Sequence, residues 1–430
     1  MLERMFKLSA HQTNLRTEAF AGLSTFLTLS FIIAVNPAIL SDAGIDFSAA
    51  FIATLLASAL GCFIMGFWAG WPVALAPGMG LNAFFAYVVV LGYGLSWQQG
   101  LTAVFVSSVL YFAFSLSKAR SWIIGSIPAS LQVGITAGIG LFLAMIGLTS
   151  AGIIVDNPDT LVGLGAIDDV SVLLAVAGLI LMAGLSYRGL PGGILLGILI
   201  ISAIGWMSGL AEFNGVVSAP PVASAAFALD FSVLTSPAFL SVVFVMFFVD
   251  FFDTTGTLTA IAGPAGKRKA DGQIDKLDKA VLADTSASVF GALLGTSNMT
   301  TYLESAAGLK VGGRTGLTAI IIGLLFLSCL FFEPIFASIP AFATAPALIL
   351  VAAGFLSGLK QLNWDDVSET LPVMLMMVVM PLTFSIAAGI AFGYFAYIGM
   401  KCLAGKAGDI HLGSWVIAGF AVIWFVLSLG

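Results

Sequence analysis

Three carboxylates lie where an apolar chain has least use for charge. Asp250 and Asp253 fall in FVMFFVDFFDTTGTLT, within an apolar segment from Phe239 to Ile261 that holds no Lys or Arg. Glu304 falls in GTSNMTTYLESAAGL. A charge at the centre of a bilayer costs about 2.5–3.5 kcal/mol on insertion scales, so it is rarely carried without a use. A separation of three puts Asp250 and Asp253 on one helical face, and that face must look into protein or water. Carboxylates accept hydrogen bonds and take up protons. With no basic partner in the spans, the trio suits a planar polar ligand with N–H and C=O groups better than an inorganic anion. Acids that can change protonation also supply the means for proton coupling. A blander reading has Asp253 bracing unwound backbone.

The elements that must position these acids are membrane helices. The chain has 430 residues, 60% hydrophobic and 9% charged, and apolar runs of spanning length recur from end to end. This composition predicts an all-α polytopic membrane protein; a β-barrel would show short alternating segments instead. Met1 to Glu18 is polar and the first apolar run is too long for a signal peptide, so no cleavable signal is expected. Cys62, Cys329 and Cys402 lie in or beside apolar runs and imply no disulfide framework. His11 and His411 lie outside the spans, so no metal site and no cofactor are expected.

Fourteen spans are predicted, at about 19–41, 48–71, 77–95, 99–117, 131–150, 170–187, 190–210, 236–262, 280–296, 299–309, 315–333, 338–358, 368–382 and 385–403. A further run, 412–429, reads equally as a span or an interfacial helix. With the N-terminus in the cytoplasm, every Lys and Arg falls on the cytoplasmic side, from Arg4, Lys7 and Arg16 through Lys118, Arg120 and Arg188 to Lys401 and Lys406. The opposite loops carry Asp42, Asp46, Asp156, Asp159, Glu212 and Asp230 and no basic residue. The mixed-charge loop 263–279 reads as a solvated link.

Seven spans on either side of that loop suggest a duplication whose second copy is inverted. WPVALAPGMGLNAFFAYVVV in span 3 and FGALLGTSNMTTYLESAAGL in span 10 each place turn-formers and small residues before a short helix. Broken helices in matching positions of inverted repeats point to a transport site at mid-membrane. Their free N–H groups would meet there, with the acids nearby.

The runs APGMGLNAFF, VDFFDTTGTL and TTYLESAAG followed by GGRTGLTA resemble the AzgA-like purine permeases, of the superfamily that includes the uracil/proton symporter UraA and the nucleobase/ascorbate transporters. The resemblance covers nearly the whole chain. It implies a fourteen-span fold of two inverted seven-span repeats with short half-helices in spans 3 and 10. A core domain would comprise residues 1–117 and 236–335, and a gate domain residues 118–235 and 336–406, with 407–430 a terminal hydrophobic segment. A purine base would bind between them, with import by proton symport and an elevator-like motion. Carried over by motif, Asp250 is the base-holding acid and Glu304 its span 10 counterpart. Gly80 and Asn82 belong to the span 3 binding segment, Tyr302 and Leu303 offer backbone groups beside Glu304, and Asp253 is a second span 8 acid. Glu304, Asp250 and Asp253 are the proton-coupling candidates. The QNxG-type signature of the nucleobase/ascorbate branch is absent, which counts against uric acid, xanthine and ascorbate.

The implied setting is a bacterial inner membrane. The implied partners are purine, proton and membrane lipid, with no nucleic acid; a homodimer is among the assemblies left open. Two other functions compete: an anion transporter of the same architecture, and an intramembrane aspartyl protease using Asp250 and Asp253. The base-free centre opposes the first. A dyad on one helix, with no GxGD stretch, opposes the second.

Overall fold

A computed structural model of the chain describes residues 2–117, 128–269 and 273–428. Lys118 and Arg120, and the expected boundary between residues 117 and 118, lie outside the described residues. Among the described residues, eight helices are long and apolar enough to cross a membrane, and three shorter apolar helices accompany them. Each of the fourteen predicted spans coincides with a helical segment.

The first half begins with α1 (Leu15–Leu29) and α2 (Ile32–Asp42), which together form the first span, broken at Ser30–Phe31. It continues with α3 (Phe47–Ile64), the extended β1 (Leu75–Pro77), α4 (Met79–Ala83), α5 (Trp97–Ser115), α6 (Ala129–Ser150), α7 (Val170–Tyr187) and α8 (Gly193–Met207). A small hairpin of β2 (Ile154–Asn157) and β3 (Leu161–Leu164) joins α6 to α7. The second half holds α9 (Pro237–Ile261), α10 (Leu277–Leu294), β4 (Met299–Thr301), α11 (Ser305–Val311), α12 (Gly316–Ser328), α13 (Ala341–Phe355), α14 (Val367–Thr383) and α15 (Ile386–Leu403). The run 412–429 folds as α16 (Leu412–Ser428), which packs on α15 and touches α9.

The packing repeats itself between the halves. Span 4 (α5) packs on span 9 (α10), as span 11 (α12) packs on span 2 (α3). Span 5 (α6) packs on span 13 (α14), and span 12 (α13) on span 6 (α7). Such reciprocal pairs are what an internal two-fold between inverted copies requires. α1–α5 pack with α9–α12, and α6–α8 pack with α13–α15. A direct bridge between the two groups is α4 against α6.

The crossing of β1 and β4 lies at the centre of the first group. They pair antiparallel, with Leu75 opposite Thr301, Ala76 opposite Thr300 and Pro77 opposite Met299. Backbone at membrane depth must find partners within the protein. Gly78 N–H donates to the Asn298 carbonyl (2.9 Å) and Tyr302 N–H to the Ala74 carbonyl (3.1 Å), extending the ladder at both ends. The outer edges are satisfied by side chains from matching helices. Cys62 on α3 takes the Leu75 N–H (3.3 Å) and gives its S–H to the Leu75 carbonyl (3.4 Å). Ser288 on α10 does the same for Met299, at 3.0 and 2.9 Å. Cys62, silent in the sequence, is a backbone partner.

The loop 263–279 departs from the solvated link expected of it. Lys267 is buried and its ammonium donates to the Gly70 carbonyl (2.9 Å), while the Trp71 indole donates to the Asp275 carbonyl (3.2 Å). Burial first, and the charge of Lys276 second, hold the Lys267 ammonium below its usual range. The mixed charges therefore serve partly to dock the loop under the start of span 3.

Candidate functional site

The site residues arise from one helix and the two crossing strands. α9 starts cleanly, with the Ser236 hydroxyl accepting from Phe239 N–H and Pro237 in the first turn. The helix then runs unbroken past both acids, which turn toward β4. Asp250 is 1% exposed, and one carboxylate oxygen accepts from the Asn298 side-chain amide (3.2 Å). Its other oxygen, Oδ1, is buried with no protein partner. Asp253, half-buried, accepts from the Thr300 hydroxyl (2.9 Å). Residues 298 and 300 lie on one side of an extended segment with period two, matching acids three apart on the facing helix.

Glu304 is half-buried at the N-cap position of α11, where its carboxylate caps no helix amide. It lies within electrostatic reach of Asp253 and Tyr302. Asn82 is fully buried in α4 and donates to the Asn36 side-chain carbonyl (2.7 Å). Asn36 in turn donates to Thr54 (2.7 Å) and Thr296 (3.0 Å), so spans 1, 2 and 3 and the end of span 9 meet in one network. Asn82 Oδ1 is left without a protein partner. Gly80 faces α6, and a Cβ built there would stand 2.6 Å from Ile139 Cγ2. Tyr302 N–H donates to the Ala74 carbonyl, its carbonyl accepts from Ser305 N–H, and its hydroxyl donates to the Pro77 carbonyl (2.5 Å). The Leu303 carbonyl accepts from Ala306 N–H and its side chain is half exposed.

Sequence reading missed several members. Asp284 on α10 is fully buried and accepts from the Thr254 hydroxyl (2.6 Å), and its Oδ1 has no protein partner. Thr254 Oγ1 lies 3.5 Å from Thr300 Oγ1, so hydroxyls link Asp284 to Asp253. An acid inside span 9 was the available signal. Asn298 and Thr300 stood in the sequence as turn-formers; their side chains are the partners of the acids. The Asn298 side-chain oxygen is also buried without a partner.

Among the described residues no cluster of His, Cys, Asp and Glu could hold a metal ion. An apolar pocket lies elsewhere, between α6, α9, α15 and α16, lined by Phe244, Phe248, Phe252, Ile390, Tyr394 and Ile417. The acids do not line it.

Comparison with known proteins gives the family and the fold. Residues 16–392 match the family model Xan_ur_permease, described as Permease family. The chain is 44% identical over 411 residues to the adenine permease AdeP of Escherichia coli (strain K12), covering 95% of this chain and 92% of that protein. It is 40% identical over 425 residues to the guanine/hypoxanthine permease PbuG of Bacillus subtilis (strain 168), covering 95% and 96%. The transmembrane domain of a cyanobacterium bicarbonate transporter, BicA, shares the fold, with a TM-score of 0.66 at 16% identity, covering 90% of this chain and 98% of that one. An identity of this order along nearly the whole length, together with the matched model, places the chain in the permease family to which these adenine and guanine/hypoxanthine permeases belong.

Proposed function

We propose that this permease imports purine nucleobases by proton symport, binding the base beside Asp250 at the crossing of β1 and β4. One observation carries the reading. The buried side-chain atoms left open around the crossing include the acceptors Asp250 Oδ1, Asn82 Oδ1 and Asn298 Oδ1 and the hydroxyls of Ser297 and Thr301, which both donate and accept. Such a surface calls for a ligand that presents N–H donors along an edge, as adenine, guanine and hypoxanthine do. It repels an anion, which separates this chain from the bicarbonate transporter that shares its fold. The names of the relatives, adenine permeases and guanine/hypoxanthine permeases, support the same substrate class.

Asp250 is the base-holding acid in this reading. Asp253 and Glu304 border the site, and Glu304 carries the coupling proton. α1–α5 with α9–α12 form the core, α6–α8 with α13–α15 the gate, and the core moves against the gate across the α4–α6 contact. The protein lies in a bacterial inner membrane with its N-terminus in the cytoplasm. The experiment is uptake by cells that lack their own purine carriers. Labelled adenine and hypoxanthine are expected to enter and to be displaced by unlabelled purines. Uptake of bicarbonate or sulfate with no purine uptake would overturn the reading.

A further inference from the structure

Glu18 is a buried acid far in sequence from the crossing, and the site described above makes no use of it. It is 0% exposed in the first turn of α1. Its carboxylate is filled by donors from one short stretch of the second half. Oε1 accepts from Arg314 N–H (3.0 Å). Oε2 accepts from Thr315 N–H (3.4 Å), Thr318 N–H (3.2 Å) and the Thr318 hydroxyl (2.5 Å). These amides are the orphan donors at the start of α12, where the helix dipole favours an anion. Glu18 thus caps a helix whose Thr318 lies 300 residues further along the chain.

The same stretch grips α11 from behind. The Arg314 guanidinium donates to the carbonyls of Leu309 (2.9 Å) and Gly313 (2.8 Å), at the C-terminal end of α11. α11 also packs closely on α1 through Gly308. A Cβ on Gly308 would overlap the Ala21 carbonyl and the Thr25 hydroxyl, and one on Gly313 would stand 2.8 Å from Ala21 Cβ. α11 is seven residues long and Glu304 is its N-cap. Fixing one end of so short a rod fixes the other.

We propose that Glu18, through Arg314, is a positioning residue for Glu304: the clamp between α1 and the α11–α12 turn sets where the Glu304 carboxylate stands against the crossing. This rests on the reading of Glu304 as a site residue. A Glu18→Gln side chain keeps the shape but turns an NH2 group toward backbone donors.

The test compares two backgrounds in proteoliposomes, after size-exclusion chromatography has confirmed folded protein. In the wild-type background, Glu18→Gln is expected to raise the half-saturating adenine concentration about ten-fold, equivalent to about 1.4 kcal/mol, and to shift the pH profile of uptake. In a Glu304→Gln background, adenine counterflow is expected to be the same with and without Glu18→Gln. Equal losses in both backgrounds, or no loss in either, would overturn the proposal. If Glu18→Gln yields no folded protein, Arg314→Met removes the brace on α11 while leaving the amides on Glu18, and the same two comparisons decide. Amide hydrogen exchange over residues 305–311 is followed in parallel. A rise there in a chain that transports no purine at all would refute the transport reading while leaving the clamp in place; no rise would refute the clamp.

Discussion

Asn298 donates to Asp250 across 3.2 Å from the end of the second crossing strand, and leaves the other Asp250 oxygen buried and open. The two residues belong to the same half of the chain, 48 positions apart. The amide holds the carboxylate by one oxygen and presents the second to the site. Asp253 is held by Thr300 in the same manner but in a more exposed place.

Asp250→Asn is therefore expected to weaken purine binding more than Asp253→Asn. Loss of a charged hydrogen-bond partner costs about 1.5–3 kcal/mol, or roughly ten-fold to more than a hundred-fold in Kd. Calorimetry on purified protein measures it; equal Kd values for wild type and Asp250→Asn would remove Asp250 from the site.

Glu304→Gln is expected to abolish accumulation of purine while retaining some exchange, because Gln mimics a protonated acid. Proton and base should bind cooperatively, since a protonated carboxyl can both donate to the base and accept from it. Uptake into proteoliposomes with an imposed pH gradient, with and without sodium, is the measurement. Accumulation that requires sodium and ignores a protonophore would refute the proton mechanism; wild-type accumulation by Glu304→Gln would clear Glu304.

Gly80 and Ile139 give a test of the α4–α6 contact. Gly80→Ala places a methyl 2.6 Å from Ile139 Cγ2, an overpacking worth about 1–3 kcal/mol. Transport should fall, and Ile139→Ala in the same chain should restore much of it by making room. A double mutant as slow as Gly80→Ala would mean that the glycine serves the ligand rather than the contact.

Orientation can be read by thiol labelling in a cysteine-free background. Lys267 is a poor reporter because it is buried, whereas the Lys269 side chain is 53% exposed. Cysteine at 269 should resist an impermeant reagent added to intact cells, and cysteine at Asp159 should react. The reverse pattern would invert the topology.

The helical spans, the inverted repeat and the acids of α9 were legible because each leaves a local mark: length, charge sorting, or a carboxylate in an apolar run. Asp284 leaves the same mark in LADTSAS, inside the predicted span 9. Glu18 was read as part of a polar flank; its role depends on Thr318, 300 residues on, and no local pattern carries that distance. The side-chain roles of Asn298 and Thr300 follow from the register of β4 against β1, which periodicity does not supply for strands of three residues.

The pairing of β1 with β4 also orders events during synthesis. Pro77 and Tyr302, which meet through a side-chain hydrogen bond beside the ladder, are 225 positions apart. At about 5–20 residues per second, the ribosome needs roughly ten to forty-five seconds to cover that distance. For that time the first crossing strand stands in the membrane with its inner edge unpaired, a state that hydrocarbon penalises. Neither half of the chain can close its own centre, so the two halves expressed as separate polypeptides should each be short-lived alone and should protect one another when made together.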